Sequence, residues 1–107
     1  MELKSLIKVL EKLPQDLVVP KGFSNPHSWR GIYAELAFEP TENTKVADML
    51  ADAKSAIGAT YEGYKGGDFT MDEDTRVHFA YYGSADDESG EIFVSIIEAL
   101  TPQGSIR

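Results

Sequence analysis

A chain of 107 residues with 42% apolar side chains is long enough for one hydrophobic core and too short for two. Its net charge of −8, from 18 acidic and 10 basic side chains, sets the surface against a nucleic-acid backbone and suits a basic partner for which nucleic acid would compete. The absence of cysteine excludes a disulfide scaffold, a thiol nucleophile and a sulfur-ligated structural zinc.

The first predicted element is a helix over residues 2–13. Leu3, Leu6, Ile7, Leu10 and Leu13 keep helical spacing, charged residues take the other faces, and Pro14 stops it. Such a stripe covers a core or docks on a partner. No apolar run reaches the about 20 residues that cross a membrane, and residues 1–13 lack the continuous apolar stretch of a signal peptide, so a cytosolic protein is expected.

Asp16 to Pro20 reads as a short edge strand or extended arm, and Lys21 to Ser28 as a loop broken by Gly22, Asn25 and Pro26. Trp29 to Glu39 alternates. Ile32, Ala34, Leu36 and Phe38 point one way and Trp29, Tyr33 and Glu35 the other, which predicts a strand ended by Pro40. Two rings and a carboxylate on the second face call for cover by another subunit or for a pocket. After a capping turn at Thr41–Thr44, Val46, Met49, Leu50, Ala53 and Ile57 predict a helix over 45–57 with Gly58 as its C-cap. Arg76 to Tyr82 alternates again. Glu91 to Leu100 is rich in isoleucine and reads as a buried strand, forming a hairpin across the polar loop 83–90, although periodicity alone leaves a helix open. The tail from Pro102 is expected to fray. The whole is a single α+β domain: a mainly antiparallel sheet of three to five strands with two packed helices.

Chemistry concentrates in two stretches. Thr60 to Met71 holds three glycines, three rings and a lysine in twelve residues. Gly66 and Gly67 let backbone approach a ligand, Lys65 adds charge, and Tyr61, Tyr64 and Phe69 offer faces for a flat ring. The spacing matches neither a P-loop nor a dinucleotide fingerprint, and a tight turn with tyrosines packed on the sheet is the competing reading. Asn25 to Gly31 supplies His27, Trp29 and Arg30: a hydrogen-bonding imidazole, a stacking ring and a planar fork for phosphate or carboxylate. The alternative for Arg30 is an ion pair with Glu35 or Glu39. His27, Glu35 and His78 are candidates for acid–base work, but no spacing marks a catalytic set or a metal site. Asp72–Asp74 and Asp86–Glu88 read as solvated turns.

Three strings, Asn-Pro-His-Ser-Trp-Arg-Gly-Ile-Tyr (25–33), Leu-Ala-Phe-Glu-Pro (36–40) and Ala-Thr-Tyr-Glu-Gly-Tyr-Lys-Gly-Gly-Asp-Phe-Thr-Met (59–71), carry a resemblance. Together they resemble a group of small proteins of unassigned activity encoded by bacteriophages and prophages. The likeness covers about Val19 to Gly83 and implies an accessory protein expressed during infection; by analogy with other small acidic phage proteins, a counter-defence role is expected.

The leading expectation is a binder of a small anionic, nucleotide-like ligand, without turnover and without a cofactor. Its site would be His27, Trp29, Arg30, Tyr61, Tyr64, Lys65, Gly66, Gly67 and Phe69. The second is an acidic inhibitor of a host protein, a DNA mimic among its forms, acting through Asp72–Asp74 and Asp86–Glu88. The third is a small hydrolase or lyase acting on a nucleotide. Trp29, Tyr33, Tyr81 and Tyr82 give more ring surface than a small sheet hides, so a homo-oligomer is expected.

Overall fold

The leucine stripe of the N-terminus forms helix α1 (Leu3–Glu11) in the computed structural model, which describes residues 1–100 except for the side chain of Leu100. The tail from Pro102 lies outside the described residues. After α1 come β1 (Val18–Ser28), β2 (Leu36–Lys45), α2 (Val46–Ala56), β3 (Thr60–Glu62), β4 (Asp68–Thr70), β5 (Val77–Phe79) and α3 (Ser89–Leu100). The architecture is α+β. One sheet has the order β1-β2-β5, with β1–β2 antiparallel and β2–β5 parallel, and β3 and β4 form a separate antiparallel pair. Among the described residues there are three helices, where the sequence suggested two.

β1 and β2 differ from the predicted segments for identifiable reasons. The run 21–28, read as a loop, continues the short predicted strand. Its breakers are absorbed by a bulge: Asn25 takes φ 53°, and the register slips between Ser24 and Pro26. The β1 side away from β2 is an edge of the sheet, where proline is tolerated. Residues 29–35, read as the start of the next strand, instead form the turn into β2, and Ile32 is half exposed. Pro40 does not end β2. The N–H of Leu36 and the carbonyl of Phe38 face β5, so by the two-residue period Pro40 turns its missing donor to the same side. β5 has already ended there, at Phe79, so no ladder bond is lost. The strand therefore runs through the predicted turn at 41–44 to Lys45.

The segment 91–100 is a correction: it is helix, not strand, and no hairpin crosses the loop before it. Isoleucine favours strands, but here the residues turned inward are Ile92, Ser95, Ile96 and the partly buried Ala99, at i, i+3, i+4 and i+7. Packing on β1 decides the matter, with Ser95 Oγ accepting the edge N–H of Lys21 at 2.9 Å.

One core joins the three helices to one face of the main sheet. Leu3, Leu6 and Leu10 of α1, Val46, Met49 and Ala53 of α2, and Ile92 of α3 close over Phe23, Phe38 and Phe79. The rings of Phe23 lie 4.7 Å from Phe38 and 4.9 Å from Phe79, so one residue on each of the three strands meets at a single point. Phe23→Ala is expected to cost about 3–5 kcal/mol, because that meeting point cannot collapse without moving all three strands. Chemical denaturation followed by circular dichroism measures it, and a loss below about 1 kcal/mol would contradict this picture of the core.

Candidate functional site

The other face of the sheet is set by register. His27 on β1 pairs with Ala37 on β2, and Ala37 pairs with His78 on β5, so the two histidines flank one small buried side chain in a single cross-strand row. Trp29, two residues past His27, folds back over this row. Its indole stacks on the His78 imidazole with centroids 3.6 Å apart and planes 17° from parallel. A Cβ at Gly31 would stand 2.5 Å from that indole, so glycine at this position lets the ring lie against its own turn. The turn is fastened by the Trp29 N–H donating to the Glu35 carbonyl at 2.8 Å and the Ser28 hydroxyl donating to the Tyr33 carbonyl at 2.6 Å.

His78 sits between two carboxylates. Its Nε2 is 2.6 Å from Glu35 Oε1 and its Nδ1 is 2.8 Å from Asp87 Oδ2. Both ring nitrogens are therefore engaged by carboxylate oxygens, one at each edge of the imidazole. Asp87 is further tied by the N–H groups of Phe79 and Ser89 and by the Ser89 hydroxyl. Burial pushes the Asp87 carboxyl up. The hydrogen bonds from Ser89, His78 and the Phe79 N–H outweigh it and hold the carboxyl below the usual carboxylate range. The trio resembles an acid–base set by composition only: both ring nitrogens are engaged, one ring face is covered by Trp29, and neither nitrogen is left to move a substrate proton. The two carboxylates also lie at opposite edges of the ring and cannot converge on one ion. Among the described residues no group of three or more His, Asp or Glu is arranged to hold a metal.

The two ring-rich stretches meet. β3 and β4 bring residues 60–71 back on themselves through a turn in which Gly66 and Gly67 take φ 96° and 85°, with Gly63 N–H bonded to the Gly67 carbonyl. The Arg30 guanidinium lies 4.7 Å above the centre of the Tyr64 ring, and its Nη1 donates to the Gly83 carbonyl at 2.9 Å. Arg30 pairs with neither of its expected partners, because Glu35 holds His78 and Glu39 accepts the Tyr82 N–H. Tyr64 meets Tyr82 edge-on at 5.7 Å, and Tyr82 meets His27 edge-on at 5.5 Å. Tyr64 and Tyr82 remain about half exposed. Lys65 is exposed, and its ammonium has no ion pair among the described residues.

The remaining predicted site residues are placed differently. Tyr33 stands edge-on to Phe69 at 5.8 Å, and Phe69 and Tyr61 both pack against the core cluster. Burial, then the charge of Asp52, push the Tyr61 hydroxyl above its ordinary range. Asp52 is itself pushed up by burial and by Asp48, against the pull of the Asn25 N–H. Tyr61 and Phe69 are thus anchors of the hairpin, while Arg30, Tyr64 and Lys65 stand at the surface.

Two buried side-chain nitrogens, His27 Nε2 and Trp29 Nε1, have no hydrogen-bond partner among the described protein groups. His27 is 6% exposed, and its Nδ1 lies 3.0 Å from the Asn25 carbonyl. A carbonyl only accepts, so Nδ1 is the donor in that contact and Nε2 is the ring atom left without a partner. The acidic runs are partly committed to the fold: Asp74 bonds Lys4 at 2.6 Å, Asp72 caps its own turn through Thr75, and Asp87 holds His78. The His78 network is what the sequence reading missed. Glu35 and His78 are candidates from the sequence, whereas Asp87 reads there only as part of the acidic run 86–88, a solvated turn or an inhibitor surface, with nothing to tie it to His78.

Comparison with protein-family models, with curated proteins and with solved structures finds no match to this chain. Among the described residues no helix is long and apolar enough to cross a membrane.

The depressed Asp87 carboxyl fixes a pH signature. Its stabilising effect is complete above the unfolded carboxylate value of about 3.9 and is lost as pH falls through the lower folded value. Asp87→Asn is therefore expected to be less stable at neutral pH, with the gap to the wild type closing on acidification. A gap that stays constant from neutral pH to the acid limit, in urea unfolding at stepped pH, would contradict the assignment.

Proposed function

We propose that this protein binds a small anionic, ring-bearing ligand of the nucleotide type, without turnover, on the surface formed by Arg30, Tyr64, Lys65 and Tyr82. The observation that carries the reading is the state of Arg30. In a chain of net charge −8 this guanidinium has no ion pair among the described residues. A ring and a carbonyl fix it in place instead. Its second amino group remains a donor in a preset plane, which is how arginine recognises phosphate or carboxylate at low entropic cost. Lys65 adds a second cation on the adjoining turn, and the exposed tyrosine rings offer stacking area.

The unpartnered nitrogens of His27 and Trp29 support the same surface. A buried polar atom without a partner costs about 1–3 kcal/mol, and most such atoms in folded proteins are satisfied. The Trp29 nitrogen is a donor, and the His27 ring stands edge-on to Tyr82, so its unpartnered nitrogen belongs to the same ring layer. The closed His78 network supports binding over catalysis. The likeness to phage-encoded proteins supplies the setting, sequestration of a host signalling nucleotide. That role belongs to the proposal together with the cytosolic location and the oligomer. Trp29 and Tyr33 are spent on His78 and Phe69, so of the four rings that suggest a subunit contact Tyr81 and Tyr82 remain exposed.

Native mass spectrometry of protein purified from bacteria that produce signalling nucleotides tests the reading. The wild type is expected to carry one nucleotide per site, released unchanged on denaturation. Arg30→Ala and Lys65→Ala should lose it while keeping the wild-type circular dichroism spectrum. A nucleotide retained by both variants would overturn the assignment.

A further inference from the structure

Away from the tyrosine surface, two shallow grooves of about 190 and 230 Å³ adjoin at Lys21. The first lies between the middle of β2 and the start of α3, with Pro40, Tyr81 and Ile92 as its apolar walls and Glu42 and Glu88 beside them. The second lies between Pro20 and the outer side of α3, with Val94 on its wall and Glu98 at its rim. Both include Glu91. Val94 is 53% exposed and Tyr81 54%. Sharing Lys21 and Glu91, the two grooves make one trough of mixed polar and apolar lining, with the carboxylates of Glu42, Glu88, Glu91 and Glu98 along it.

We infer that this trough docks a basic, apolar segment of another protein, lysine or arginine side chains meeting the rim and aliphatic ones the floor. Charge complementarity selects the occupant. The one cation of the trough, Lys21, is 3.6 Å from Glu91, and both side chains are more than half exposed, so the pair is weak and an incoming cation displaces it at little cost. Glu42, Glu88 and Glu98 have no ion pair among the described residues. The floor is rigid where it matters, because the Lys21 N–H is fixed on Ser95 Oγ. Long basic side chains can lay their stems on Val94 and Pro20 and reach the rim with their charged ends. A second copy of this chain is a poor occupant, since a two-fold contact would set an acidic rim against itself. An anionic ligand is repelled for the same reason. The inference is therefore separate from the tyrosine surface and stands if that surface binds nothing.

A synthetic helical peptide of leucine and lysine, amphipathic by design, serves as the probe, with its leucine–glutamate counterpart as control. Titration of ¹⁵N-labelled protein is expected to move the amides of Lys21, Glu91, Val94 and Ser95 with the lysine peptide only. Val94→Asp and Glu98→Lys, both at exposed positions, should each weaken binding about tenfold, and added salt should weaken it further. Arg30→Ala should leave it unchanged. The inference is overturned if both trough variants bind as the wild type does or if the shifts centre on Asp72–Asp74. A free protein that is a dimer broken by Val94→Asp also overturns it, as do nuclear Overhauser contacts from residues 101–107 to Val94, which would make the chain's own tail the occupant.

Discussion

His78, held between Glu35 and Asp87, is the contact on which the second face of this domain depends. β5 is three residues long and pairs with β2 in parallel, an arrangement with few backbone bonds to sustain it. Its ends are secured from outside the sheet. The Val77 N–H donates to the Met1 carbonyl, Glu2 bridges Arg76, and Asp87 takes the Phe79 N–H while Glu88 donates to the Phe79 carbonyl. His78 joins these fastenings to the 29–35 turn through Glu35. The imidazole also provides the plate on which Trp29 stacks. One side chain thus couples the shortest strand, the turn before β2 and the approach to α3.

The two faces of the sheet then serve different ends. Phenylalanines from three strands close the core on one side, under three helices. On the other side histidines, tryptophan, tyrosines and arginine form a thin layer with little aliphatic content. Ring contacts there run in a chain from Arg30 through Tyr64 and Tyr82 to His27. Such a layer adds modest stability for its size and leaves donors, acceptors and ring faces near solvent. Those are the properties of a recognition surface more than of a core.

How much of this was legible in the sequence depended on how local the cause was. α1 and α2 were readable because their burial follows a 3.6-residue period within one segment. α3 was misread because its isoleucines favour strands, and only packing on β1 shows that positions 92, 95, 96 and 99 turn inward. The alternation of 32–38 was real at Leu36 and Phe38, but it was extended backward across a turn fastened by Ser28 and Trp29. The loop reading of 21–28 failed because a bulge at Asn25 disposes of the breakers. Composition marks 25–31 and 60–71 as stretches of one character but leaves open whether they meet. The form of that meeting was not readable, since the pairing of Trp29 with His78 follows from a register shared by three strands. Asp87 was unreadable for the same reason: its role comes from the place where β5 ends.

Amide hydrogen exchange, compared between the wild type and His78→Gln, is the most direct measurement of this dependence. The account predicts that Phe79, Tyr82 and Glu88 lose protection in the variant while Phe23 and the β1–β2 ladder keep theirs. Unchanged protection at those three amides, or an equal loss throughout the domain, would contradict it.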